Sequence, residues 1–184
     1  MKTLREALAP LVDAVQLCLD KQLIMPAVIL IYSGIDIVGG LAREGSHRDT
    51  RADFTGWVDL YMLPDPNMGV TSIDLYGARC GLLHNLSPSS DLSESGEAKE
   101  VMYAWGSKSA NEAQTVIDCY SPGWIALHTD TLFGAFRRGL DQFFAEEEDD
   151  AARQTLLASR AQLVFEAVSE SLMQRILDLD TSLE

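Results

Sequence analysis

The run "LIMPAVILIYSGI", Leu23 to Ile35, carries no charge over 13 residues and ends at Asp36. A segment that is apolar on most sides cannot lie on a protein surface, so the other elements must be arranged to cover it. A membrane span needs about 20 apolar residues, so the run reads as a buried core helix, and no membrane segment is expected. Pro26 falls near its start, where a missing N–H is tolerated. The helix should reach about Ala42, with Asp36 as the lone charge inside it, and that charge requires a partner.

The covering elements are mostly helical. Leu4, Leu8, Leu11, Val15 and Leu19 recur at spacings of three and four, which marks an amphipathic helix over residues 3–20. "REGSHRDT" reads as a loop, with Asp49 or Thr50 as the N-cap of a third helix through Met62. After the break at "LPDPNMG", Thr71 and Asp74 have the spacing of a capping box, and the helix they open should stop before Pro88. "SPSSDLSESGEAK", Ser87 to Lys99, reads as a polar, mobile loop. "EVMYAW" and "AQTVIDCY" are rich in β-branched and aromatic residues and predict a β-hairpin. "WIALH" fits either a third strand or a helix start. Thr129 or Asp130 can cap a helix through Phe144, followed by the acidic "EEEDD". A last helix over about 150–179 aligns Leu157, Val164, Val168, Leu172, Ile176 and Leu179. The expectation is a mainly α protein: a bundle of about five to six helices with a small β-hairpin insertion near residues 100–120. It should form a single domain, 1–184, with a helical core over 3–86 and 129–180 and a loop and β insertion over 87–128.

Charge narrows the function classes. The net charge is −14, divided as −3 over residues 1–84 and −11 over residues 85–184. A nucleic-acid binder normally shows a basic footprint, so any anionic substrate would need a local patch, for which only the first half leaves room. Cys18, Cys80 and Cys119 are odd in number, far apart and form no CxxC pair. That argues against a disulfide framework or zinc site and suits a cytoplasmic protein. "MKTLREALAPLVDA" has charges throughout, unlike a secretory signal.

The chemistry concentrates in "DLYGARCGLLHNL", residues 74–86. On an ideal helix Gly81 and His84 fall within about 40° of Gly77, while Arg79 lies roughly 140° from His84 among Leu75, Leu82 and Leu86. The two glycines form a shallow groove that admits another backbone, either a neighbouring helix or the seam of a second subunit. Arg79 cannot lose its charge on an apolar face, and Asp36 is its natural partner. One reading of the pair is a buried bridge that sets helix register, with His84 merely at the surface.

The segment "RCGLLH", an Arg and a His separated by four residues and preceded by an acidic residue in an apolar helix, resembles the HEPN family of all-helical domains. The resemblance covers residues 24–86 and, loosely, the final helix. It implies a homodimer in which Arg and His meet across the two-fold, and a metal-independent endoribonuclease without cofactors. Arg79, His84 and Asp36 would then be catalytic, with Arg43, Arg48 and Arg51 available to bind RNA. His84 would move the proton, Arg79 would hold the scissile phosphate, and the products would be 2′,3′-cyclic phosphate and 5′-hydroxyl ends. The setting would be defence or toxin-like, with an antitoxin or other protein as partner. Active members usually carry Asn, Asp or His directly after the Arg, whereas this chain has Cys80, a weak donor. The alternative implied by the same resemblance is a catalytically silent dimeric module that recruits a protein partner through its acidic half.

The other candidates read as structural. His128 with Asp130 lacks a nucleophile in a recognisable setting. His47, His84 and His128 are too isolated for a metal site. Gly39–Gly40 does not follow a strand as a phosphate loop would. Trp57, Tyr61 and Trp105 fit a core at helical or strand spacing. "EEEDD" reads as a solvated junction before the last helix.

Overall fold

The computed structural model describes residues 3–43, 47–65, 68–161 and 173–174. The apolar run lies within α2 (Ile24–Ala42), a 19-residue helix with eight buried residues that extends past Asp36. By length and composition alone α2 could cross a membrane, with a mean hydropathy of 1.9. In this fold it is the hub: α1 (Leu4–Asp20), α3 (Thr50–Tyr61), α4 (Ser72–Asn85), α7 (Thr129–Asp149) and α8 (Ala151–Ala161) all pack against it. Ile31, Tyr32, Ile35 and Val38 of α2 are fully buried with Val15, Phe54, Leu75, Phe143 and Leu157 from these neighbours. Two glycines set the spacing. A Cβ on Gly39 would stand 2.6 Å from the Asp53 carbonyl oxygen of α3, and one on Gly34 would strike the Phe136 ring of α7.

Local chemistry places the helix starts where the sequence puts them. Thr3 caps α1 and Asp49 caps α3, each accepting from a backbone N–H two or three residues inside the helix. At α4 the capping box is complete, and Asp74 goes further. Its Oδ2 accepts from the Thr71 N–H and hydroxyl at 2.9 and 2.6 Å, while its Oδ1 accepts from the Lys99 N–H at 2.7 Å. A buried carboxylate thus ties the start of α4 to the chain entering β1 (Val101–Ala104). α7 runs past Phe144 through the acidic residues to Asp149, and Asp150 then accepts from the Ala152 and Arg153 N–H groups to open α8. Leu157 is buried as the last-helix stripe expects; Val164, Val168, Leu172, Ile176 and Leu179 lie outside the described residues.

The insertion departs from the expected hairpin. "AQTVIDCY" lies in a helix, α6 (Ala110–Tyr120), and "WIALH" supplies the second strand, β2 (Ile125–His128), which pairs with β1 in parallel. Parallel strands need a crossover, and α6 is that crossover. Its start is fixed by a reciprocal Ser109–Glu112 capping box. The outer edge of β2 does not stay open. Gln114 accepts from the Ala126 N–H at 2.7 Å and donates to the Trp124 carbonyl at 2.9 Å, so its amide stands where a third strand would. β1 is anchored to the hub by a short hydrogen bond between the Tyr103 and Tyr32 hydroxyls. Burial holds both phenols neutral, well above the usual tyrosine range.

The segment Ser87–Lys99 packs against α4. It forms a short helix, α5 (Asp91–Glu94), and lies in the groove that Gly77 and Gly81 open on α4. A Cβ on Gly81 would meet the Ser89 and Ser87 carbonyl oxygens at 2.5 and 2.6 Å, and one on Gly77 would meet Ala98 at 2.9 Å. The protein's own chain therefore fills the groove expected to serve as a dimer seam. Eight helices and one two-stranded sheet make up the described residues, a mainly α bundle with a small β insertion.

The α2–α3 contact sets opposite outcomes for two alanine substitutions. Gly39→Ala should destabilise the protein by about 1–3 kcal/mol, because the Asp53 backbone must move. Gly56→Ala, in helix α3 with nothing within 4 Å of the new methyl, should stabilise it by about 0.5–1 kcal/mol. Urea unfolding of the two variants would show the difference in sign.

Candidate functional site

α2 and α4 together bring Asp36 to Arg79. The guanidinium Nε and Nη2 donate to the same oxygen, Asp36 Oδ2, at 2.9 and 2.7 Å. Both side chains are largely sheltered, with 14% and 19% of their surface exposed. Burial works against the Arg79 charge, and its contacts with Asp36 outweigh that, so its pKa is raised. Asp36 Oδ1 is buried with no hydrogen-bond partner. The carboxylate is thus half satisfied, with one acceptor left beside the guanidinium.

Arg79 also reaches His84. Its Nη1 lies 3.2 Å from His84 Nε2. Arginine can only donate, so Nε2 accepts here and the ring proton sits on Nδ1. The helical projection separates the two Cα positions, but the length of the arginine side chain bridges five residues along the helix surface. The pair that was expected to need two subunits meets within one chain. His84 is exposed, at the solvent end of a chain of contacts that begins at the half-buried Asp36.

Tyr76 belongs to this cluster and was not singled out from the sequence. Arg79 lies over its ring, 5.8 Å from the centroid, and the ring packs against Phe54 at 5.4 Å. Burial, with the neighbouring Cys80 thiol, pushes the phenol up and keeps it neutral, partly offset by Arg79. The signal was helical spacing: Tyr76 stands three residues before Arg79 and four before Cys80, on adjoining turns. The Cys80 sulfur is 3.9 Å from Arg79 Nη1, at the edge of a weak contact.

The three arginines expected to bind substrate are less available. Arg43 pairs with Asp53 at 3.3 Å and Arg51 with Glu97 at 2.6 Å, while Arg48 is exposed just before α3. The Arg51 charge is favoured chiefly by its hydrogen bond to Glu97. His128 is structural. Its Nδ1 accepts from the Asp130 N–H and its Nε2 donates to the Gly106 carbonyl, both at 3.2 Å, which ties the end of β2 to the turn after β1. Trp57 is buried in the core and Tyr61 nearly so, while Trp105 is exposed. Among the described residues no group of His, Cys, Asp or Glu could hold a metal, and all three cysteines are free thiols.

Comparison with family models, curated proteins and solved structures finds no match to this chain.

The geometry of the ion pair has a consequence for stability. Arg79→Ala leaves Asp36 sheltered without a counter-charge and should cost roughly 3 kcal/mol. The double variant Asp36→Leu with Arg79→Met removes both charges and should recover most of that loss. Urea unfolding of the wild type and the two variants checks the pair.

Proposed function

We propose that Arg79, His84 and Asp36 form the active site of a HEPN-like, metal-independent endoribonuclease that works as a homodimer. The observation that carries this reading is the contact of Arg79 Nη1 with His84 Nε2, made by a guanidinium whose other edge is held by Asp36. An arginine fixed at one edge by a carboxylate presents its remaining N–H groups in a set direction, which suits capture of a phosphodiester.

In this mechanism the incoming phosphate draws Arg79 Nη1 away from His84. The released Nε2 then takes the proton of the ribose 2′-hydroxyl. The 2′-oxygen bonds to phosphorus, the bond to the 5′-oxygen breaks, and the leaving oxygen receives a proton from His84 of the second copy. That ring acts as the imidazolium once its Arg79 has turned to the phosphate; the two rings then exchange their protons with water. Arg79 stabilises the added negative charge on the phosphoryl oxygens. Asp36 acts through Arg79, as a positioning residue, and the expected ends are 2′,3′-cyclic phosphate and 5′-hydroxyl. Because Ser87–Lys99 fills the Gly77–Gly81 groove, the two-fold would lie beyond it, at the exposed C-terminal end of α4 that bears His84.

A second reading has its own support. Two of the three candidate RNA-binding arginines are already paired with carboxylates, the net charge is −14, and Cys80 stands where active members of the family it resembles usually carry Asn, Asp or His. These features fit a silent HEPN-like module that recruits a protein partner.

RNA cleavage by purified protein in EDTA separates the two. His84→Ala should reduce cleavage by about 10²–10⁴-fold with the fold and the dimer unchanged. Cyclic-phosphate ends made only by the wild type support the enzyme. Equal activity in the variant, or no cleavage of several RNAs by folded wild-type dimer, favours the silent module.

A further inference from the structure

The end of α4 places an unfavourable residue at a demanding position. The Leu86 N–H donates to the Leu82 carbonyl and the Ser87 N–H to the Gly81 carbonyl, both at 3.1 Å. This pair of bonds closes the helix and turns the chain back, so that Ser87 and Ser89 lie against Gly81. Such a turn requires a left-handed residue at position 86, where glycine or asparagine is usual. Leucine stands there instead, at φ 51° and ψ 33°. Its Cβ then crowds a backbone carbonyl oxygen, which glycine would avoid.

The side chain is not buried in compensation. Leu86 is 64% exposed, more than any other large aliphatic residue among those described. The other non-glycine residue described at positive φ, Gln22, carries a polar side chain that suits its exposure. Leu86 thus violates both backbone preference and burial at one position, two residues from His84. A strained backbone that holds an apolar side chain in solvent points to a contact made outside the fold.

The surroundings narrow what that contact is with. No charged residue occurs from Cys80 to Ser90, and His84, Asn85 and Pro88 are exposed beside Leu86. Each copy carries a net charge of −14, so two copies repel one another over most of their surfaces. A neutral strip is where they can meet. A basic partner protein would instead be drawn to the acidic surfaces. At a two-fold axis an apolar side chain meets its own copy, so one leucine supplies both halves of the contact. The Cα atoms of His84 and Leu86 are at most about 7 Å apart, close enough for the same contact to bring both imidazoles to one phosphodiester.

We infer that Leu86 is the apolar anchor through which two copies of this chain join beside His84. The inference rests on the composite site proposed above, which is incomplete without the second imidazole. Sedimentation of the full chain over a range of concentrations tests it, with folding checked by circular dichroism. The wild type should dimerise, and added salt should tighten the dimer by screening the repulsion. Leu86→Asn, which suits the left-handed turn, should weaken the dimer by about 10-fold or more. Leu86→Met, which keeps an apolar side chain, should stay within about 3-fold of the wild type. Urea unfolding at concentrations where both are monomeric should place Leu86→Asn at or above the wild type, because strain is relieved. A monomeric wild type, a dimer indifferent to Leu86→Asn, a dimer weakened by salt, or a less stable Leu86→Asn monomer would overturn the inference. RNA cleavage in EDTA, read on the same samples, separates this contact from the nuclease reading. A Leu86-dependent dimer that cuts no RNA supports the contact and counts against the nuclease. Cutting by a dimer indifferent to Leu86 does the reverse.

Discussion

A helix apolar on nearly every side, with one carboxylate set into it, is the constraint from which the rest of this structure follows. α2 has to be surrounded, and five helices surround it. Gly34 and Gly39 let α7 and α3 approach closely enough to do so. The carboxylate has to be answered, and among the described residues Arg79 of α4 answers it. Packing therefore delivers a guanidinium to a fixed place at the rim of the core. The candidate site is a by-product of burying α2 and of refusing to leave Asp36 unpaired. Asp36 Oδ1 remains without a partner even so, and a half-satisfied buried acceptor beside a cation is the kind of local imbalance that functional sites retain.

The insertion between α4 and α7 is tied back to this frame by polar contacts as well as by Val101 and Leu127 in the core. Asp74 joins the head of α4 to the chain entering β1, Tyr103 hydrogen-bonds Tyr32 of the hub, and Arg51 meets Glu97. The first two link the insertion to the helices that hold Arg79 and Asp36, and the third links it to α3. The packed segment Ser87–Lys99 also supports α4 along its glycine face, directly beneath the end of the helix that carries His84. The helix that carries the candidate site is thus braced by an element that composition alone marks as a loop.

Much of the fold was legible in the sequence because it was written in local chemistry. Thr71 and Asp74 announced α4, Pro88 its end, and the Leu23–Ile35 run the hub. The hairpin was misread because β-branched content in "AQTVIDCY" was weighed above the Ser109–Glu112 box just before it, which is a helix-start signal. The Asp36–Arg79 pair was legible because a lone charge in each of two apolar faces leaves few alternatives. The Arg79–His84 contact was not, since backbone projection ignores the reach of a long side chain. The groove at Gly77 and Gly81 could be read, but its occupant could not: Ser87, Ser89 and Ala98 carry no pattern that marks them as its filling. Tyr76 stayed hidden because an aromatic at helical spacing fits a core equally well.

The central claim is that His84 Nε2 accepts from Arg79 and that a phosphodiester takes Arg79 away from it. Long-range proton–nitrogen NMR of the His84 ring tests this directly. The neutral ring in the free protein should carry its proton on Nδ1. Adding an RNA oligonucleotide with 2′-O-methyl sugars, which cannot cyclise, should shift His84 Nε2, and Arg79→Lys should weaken that response. A neutral His84 ring with its proton on Nε2 in the free protein, or a ring that does not respond to the oligonucleotide, would contradict the account.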